Sequence, residues 1–159
     1  IAVALGCGLR REEIASLTFD HIQQREGRWA IVDLQGKRMK LRTVPMPAWA
    51  KYAIDAWALA AGLTEGRIFR PIRRGDHLDR DAQGVTAQAV YSAIARYAPA
   101  GIAPHDLRRT FAKLALKGGA SLEQISVNLG HDSLTTTQKY LGVNLDFQNA
   151  PADVIPLTI

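Results

Sequence analysis

The sequence predicts a mainly α-helical chain with one small antiparallel β-sheet, an α+β arrangement. Three observations predict it. Apolar residues recur at helical spacing in several segments that Gly or Pro bring to an end. A single stretch, residues 29–44, is β-rich and turns about a glycine. The chain of 159 residues, 47% hydrophobic and 22% charged, has the size and composition of one globular domain that buries its own core.

The opening IAVALGCGLRR lacks a Met and reads as the end of a helix, so the sequence is expected to be a piece of a longer protein. Its apolar run is too short for a membrane span and lacks the charged leader and cleavage site of a signal peptide. Residues 11–18 (REEIASLT) place Ile14 and Leu17 three apart behind acidic first-turn residues, a short amphipathic helix. WAIVDL (29–34) and MKLRTV (39–44) flank the turn Gln35-Gly36-Lys37-Arg38, a β-hairpin closed by Pro45 and Pro47. Residues 48–61 are alanine-rich and helical up to Gly62. Residues 68–81 are polar and irregular, with room for short strands. Residues 86–98 return to helical spacing, and 99–104 form a loop.

A helix over residues 106–117 stops at Gly118-Gly119. Ser121 opens the next, with Glu123 and Gln124 in a capping-box-like arrangement. Ile125, Val127 and Leu129 are read as its core face, and Gly130 as its end. Residues 133–141 form a last helix carrying Tyr140. The tail ADVIPLTI is apolar and has no evident partner within the chain. A helical body is therefore drawn over residues 1–141 and a tail over 142–159.

Lys and Arg number 20 against 15 Asp and Glu, a formal net charge of +5. That favours a polyanionic partner without singling one out. One cysteine, Cys7, excludes an internal disulfide framework and a cysteine zinc cage; it reads as a small buried hydrophobe. The chain fits a reducing cytosol, with no membrane segment.

Chemistry-bearing residues are dispersed but ordered. His105 and Arg108 lie three apart at a helix start, on one face, with Pro104 setting the approach. Together they can grip a phosphate; taken alone, they read as a helix cap and a surface arginine. Arg10 follows two glycines that allow close backbone approach, and Glu13, one turn on, can hold its guanidinium. An ordinary surface ion pair would look the same. Lys37 sits in a tight turn that can push an ammonium into a site. Its neighbours Arg38, Lys40 and Arg42 make a basic strip, and Lys40 is a rival for any special role. His131 follows a helix-ending glycine and can donate to a phosphate oxygen or cap a helix. Tyr140 can be core or nucleophile; with an ordinary pKa of about 10, attack requires cationic neighbours or a base. Neither His105 nor His131 has a nearby Cys or carboxylate cluster at ligand spacing, so no catalytic metal is expected; no cofactor of another kind is expected either.

The ordered set Arg10, Lys37, His105, Arg108, His131 and Tyr140 resembles the catalytic domain of the tyrosine recombinases, the phage integrase family. GLRREEIASLTFDHI is similar to the family's first arginine box. QGKRMKLRTVPMP resembles its lysine-bearing hairpin, HDLRRTFAKLAL its His-x-x-Arg box, and LGHDSLTTTQKYL its histidine-to-tyrosine segment. The matches span residues 8–141. The resemblance implies that Tyr140 attacks a scissile phosphate of duplex DNA, giving a 3′-phosphotyrosyl bond and a free 5′-hydroxyl. It implies that Arg10 and Arg108 hold the non-bridging oxygens and Lys37 protonates the leaving oxygen. His105 would assist proton transfer, His131 would bond the phosphate, and Glu13 would support Arg10. Arg38, Lys40, Arg42 and Arg109 would contact DNA. Neither ATP nor a metal is implied. The resemblance further implies a tetramer on DNA, a monomer for the isolated chain, and a place in the cytoplasm beside the bacterial nucleoid. Members carry an N-terminal DNA-clamping domain not seen in this sequence, which implies weakened binding. Their C-terminal tails pack on a neighbouring protomer.

Two rivals account for part of the pattern. A non-enzymatic helix-turn-helix binder explains LALKGGASLEQISVNL (114–129) and the basic charge, but gives Arg10 and Lys37 no reason to lie near Tyr140. A type IB topoisomerase shares the chemistry but relaxes DNA instead of exchanging strands.

Overall fold

The computed structural model describes residues 1–36, 40–75 and 77–143. Seven α-helices, one short 3-10 helix (Phe19–His21) and two small antiparallel sheets form the regular structure of the described residues. The helices are α1 (Ala2–Cys7), α2 (Arg11–Ser16), α3 (Ala48–Ala61), α4 (Ala87–Tyr97), α5 (Pro104–Lys117), α6 (Leu122–Leu129) and α7 (Leu134–Leu141). Strands β1 (Ile22–Arg25), β2 (Arg28–Gln35) and β3 (Leu41–Pro45) form one sheet in the order β1-β2-β3. Strands β4 (Ile72–Arg73) and β5 (His77–Leu78) form the other. The mainly α chain with a small antiparallel sheet is thus as the sequence predicts.

Two elements differ from the reading. Strand β1 extends the expected hairpin to three strands, joined to β2 through Glu26 and Gly27, both at positive φ (50° and 76°). Two left-handed residues give the turn whose twist matches a tight hairpin. A polar strand such as IQQR carries little periodic signal, which is why it was not legible. The second difference lies in α6, where Val127 is exposed and only Ile125 and Leu129 of the three expected residues are buried. Helical geometry requires this, because positions two apart lie on different faces.

Strand β3 also presents an unexpected face inward. Val44 is buried and Leu41 is 62% exposed, so the alternation turns Arg42 toward the interior with Val44. Its partner β2 carries an irregularity between Ile31 and Leu34, where Asp33 takes a φ of 53°. A bulge of this kind offsets one strand against the other by a residue.

Helices α1, α2, α3 and α4 and the three-stranded sheet enclose the larger core, which includes Cys7, Leu9, Leu17, Ile31 and Met46. Helices α5, α6 and α7 enclose a smaller one around Ala112, Ile125, Leu129 and Leu141. Helix α5 contributes Leu107 to the first and Ala112 to the second. Arg108 is therefore buried on the helix that joins the two. Ser121 and Ser133 cap α6 and α7 by accepting from the backbone N–H of Gln124 and Thr136. Gly130 ends α6 at φ 61° and so redirects the chain at His131. No helix among the described residues is long and apolar enough to cross a membrane.

Candidate active site

Arg10 stands at the start of α2, two residues after the left-handed Gly8 that ends α1 (φ 64°). A Cβ at Gly8 would lie 2.6 Å from a ring carbon of Phe111 on α5, so α1 and α5 approach closely only because this position has no side chain. The approach brings Arg108 under the same turn: its Nη1 donates to the Gly8 carbonyl and its Nη2 to the Leu129 carbonyl. Arg10 Nη2 donates to that Leu129 oxygen as well, at 3.3 Å. The C-terminal end of α6, where carbonyls lack intrahelical partners, thus anchors two guanidiniums at once.

Glu13 holds the arrangement from the other side. Its side chain is 4% exposed and accepts four hydrogen bonds. Two come from Arg10, through its backbone N–H (2.7 Å) and Nη1 (2.9 Å). Two come from Arg42, through Nη1 (2.7 Å) and Nη2 (3.0 Å). Burial alone would raise the Glu13 pKa. The Arg42 hydrogen bonds, the Arg10 N–H and the charges of both arginines outweigh it and hold the carboxyl below the ordinary carboxylate range. Arg42 spends its remaining Nε donor on the Asn128 carbonyl, at 3.0 Å, and its side chain is only 10% exposed. Arg42 is therefore an internal tie between β3, α2 and α6. The period-two pattern of MKLRTV hid this, because Met39 and Leu41 are its apolar alternates and would put Arg42 on the outer face.

Arg10, His105, Arg108, His131 and Tyr140 line one open cavity of about 490 Å³. They come from the α1–α2 junction, the start of α5, the α6–α7 junction and α7. Among the described residues three guanidiniums (Arg10, Arg42, Arg108) gather about the carboxylate of Glu13, which leaves a surplus of positive charge beside the cavity. Such a site attracts an anion. Burial, then the charge of Arg10, pulls the Arg108 pKa down to about 10, which leaves it cationic at neutral pH.

His131 behaves differently. Burial first, then Arg108, Arg10 and Arg42, pull its imidazole down to about 4, so it is neutral at pH 7. Its Nδ1 lies 2.9 Å from the hydroxyl of the buried Thr137. Tyr140 stands edge-on between the two histidines, ring centroids 5.3 Å from His105 and 5.4 Å from His131. Its hydroxyl reaches only a long 3.5 Å contact with the His105 carbonyl. Burial raises the phenol pKa despite the pull of Arg108, Arg109 and Arg10, so the tyrosine is held protonated in the unliganded site.

Lys37 and Arg38 lie outside the described residues, as does the tail from 144. Lys40 is exposed and pairs with Asp132 at 2.7 Å. It lines a smaller neighbouring cavity of about 360 Å³ together with Arg10 and His131. Arg109 is exposed on α5. Among the described residues no cluster of three or more His, Cys, Asp or Glu is placed to hold a metal ion. Sequence reasoning missed Thr137, which nothing in a run of three threonines distinguishes, and the shared Leu129 carbonyl, which no side-chain pattern encodes.

A helical domain whose dispersed cations meet Tyr140 in a single cavity is the class that fold and site define. The chain belongs to the phage integrase family, whose model matches residues 1–146. It is 37% identical over 142 residues to the tyrosine recombinase XerC of Pelobacter propionicus, covering 87% of this chain and 45% of that protein. It is 35% identical over 153 residues to XerD of Pseudomonas putida, covering 90% and 48%. The chain thus spans about half the length of the curated relatives it matches. In fold it resembles the XerA recombinase, with a TM-score of 0.70 at 22% identity over 90% of this chain and 52% of that one. It also resembles the XerH site-specific recombinase bound to its difH substrate, with a TM-score of 0.66 at 21% identity over 92% and 42%.

Proposed function

We propose that this chain is the catalytic domain of a site-specific DNA recombinase, with residues 1–141 as the catalytic unit. The observation that carries the reading is the convergence of Arg10, His105, Arg108, His131 and Tyr140 on one cavity with surplus positive charge. In this reading the scissile phosphate of duplex DNA occupies the cavity. Arg10 and Arg108 pair with its non-bridging oxygens and stabilise the charge that builds in the pentacoordinate transition state. His131, neutral, donates from its ring N–H to one of those oxygens. Tyr140 Oη attacks phosphorus and forms the P–O bond of a 3′-phosphotyrosine. The bond to the 5′ oxygen breaks in the same step.

Proton traffic runs at both ends. The phenol must lose its proton as it attacks, and His105 assists there. Lys37 gives a proton to the departing 5′ oxygen, which leaves as a hydroxyl. Reversal by a 5′-hydroxyl of another strand rejoins DNA and frees Tyr140. The phosphotyrosine conserves the bond energy, so the cycle balances without an external energy source. The recombinase identity of the relatives supports exchange of strands over relaxation. A tetramer on DNA, the tail after residue 141 bridging protomers, DNA contacts by Arg38, Lys40 and Arg109, and work beside nucleoid DNA complete the proposal.

The test uses nicked duplexes whose cleaved end diffuses away, so that a covalent adduct accumulates, at low salt to favour binding. Mass analysis should place the adduct on Tyr140. The Tyr140→Phe variant should bind DNA and form none. An adduct that persists in that variant would remove Tyr140 as the nucleophile.

A further inference from the structure

We infer that Thr137 is a positioning residue whose buried hydroxyl donates to Nδ1 of His131 and so fixes the imidazole as the tautomer protonated on Nε2. The inference rests on the reading of the cavity as a phosphate site.

Thr137 is fully buried, an unusual place for a hydroxyl in a helix, and that hydroxyl lies 2.9 Å from His131 Nδ1. It shares a face of α7 with Tyr140 and Leu141, three and four residues on. The contact crosses the α6–α7 junction and leaves Nε2 as the ring nitrogen available to a ligand. A neutral imidazole has one N–H and one lone pair, and a hydroxyl can serve either. If Nδ1 carried the proton, Thr137 would accept it and Nε2 would turn a lone pair toward the cavity. A lone pair there repels a phosphate oxygen. If Thr137 donates to Nδ1, the proton sits on Nε2 and the ring becomes a hydrogen-bond donor to the anion.

The charges around the ring make this choice matter. Arg10, Arg42 and Arg108 surround His131 and oppose a second ring proton. The imidazole therefore has a single proton to offer, and its position decides between a donor and a repulsive acceptor. The same helix carries Tyr140, so the element that presents the nucleophile also sets the hydrogen-bonding state of the phosphate ligand. His131 and Thr137 lie six residues apart in sequence.

The experiment labels the chain with ¹⁵N-histidine and records long-range proton–nitrogen correlations at neutral pH, with and without orthovanadate as the anion. His131→Gln assigns the signals. The wild type should show a pyridine-like Nδ1 and a pyrrole-like Nε2. Thr137→Val, which keeps the shape and removes the hydroxyl, should mix the two in the anion-free sample. Thr137→Ser should keep the wild-type pattern, and it carries the test should the Val variant fail to fold. In the nicked-duplex assay at saturating DNA, adduct formation should fall about tenfold or more in Thr137→Val and recover in Thr137→Ser. A pyrrole-like Nδ1 in the wild type, or an unchanged tautomer in Thr137→Val, would overturn the inference. A wild type with the expected tautomer that forms no Tyr140 adduct would overturn the recombinase reading and leave the tautomer assignment standing.

Discussion

Replacing Glu13 with Ala removes the carboxylate that, among the described residues, pairs with both Arg10 and Arg42. The side chain is 4% exposed and accepts four donors, so its loss strands two guanidiniums whose hydrogen bonds have no other partner of that charge. Breaking a buried ion pair from one side costs about 3–5 kcal/mol, because the remaining charge stays desolvated. For a chain of this size each kcal/mol moves Tm by roughly 2–4 °C, so the midpoint should fall by roughly 6–20 °C. Thermal unfolding followed by circular dichroism reads this directly. Glu12→Ala is the control. Glu12 pairs with Arg11 at the surface, with both side chains well exposed, and its loss should cost no more than about 0.5 kcal/mol. A Glu13→Ala, Arg42→Ala double variant should lose clearly less than the sum of the single losses, since the two residues act as one unit. If Glu13→Ala costs less than about 1 kcal/mol, as a surface pair would, the internal tie described for Arg42 is wrong.

Two further predictions concern protons. His131 is held at about 4 in the folded chain against about 6.5 in the unfolded one, so the unfolded state binds a proton that the folded state refuses. Folding stability is complete above about pH 6.5 and falls as pH drops from there to about 4, by at most about 3 kcal/mol and by less to the extent that solvent reaches and screens the ring. Urea midpoints across that range should show the slope, His131→Gln should remove its share, and orthovanadate should flatten it by pairing with the imidazolium. The second concerns the leaving oxygen. Lys37→Ala should slow cleavage of ordinary DNA and be rescued by a substrate whose leaving atom is sulfur, which departs without a proton. Lys40→Ala, which breaks an exposed pair with Asp132 and the DNA contact proposed for Lys40, should need no such rescue; the reverse result would move the acid from Lys37 to Lys40.

Local sequence determined a good deal here. Glycine and capping serines bounded α6 and α7, because left-handed caps and side-chain acceptors are single-residue chemistry. Helical spacing made α3 and α4 legible for the same reason. The three-residue step from Arg10 to Glu13 implied their pairing, which is local geometry again. What lay beyond reach was long-range. That Arg42 would join Glu13 depended on which face of β3 turned inward, and one residue of offset in β2 helps to set that register. That Arg10 and Arg108 would share the Leu129 carbonyl depended on α1, α5 and α6 meeting where Gly8 leaves room for Phe111. No pattern along the chain encodes a backbone oxygen as an anchor for two cations. The sequence by itself determined which groups could do chemistry, since charge and hydroxyl content are properties of residues. Tertiary packing decided which of those groups face the cavity and which hold the others in place, because burial and distance exist only once separate segments meet.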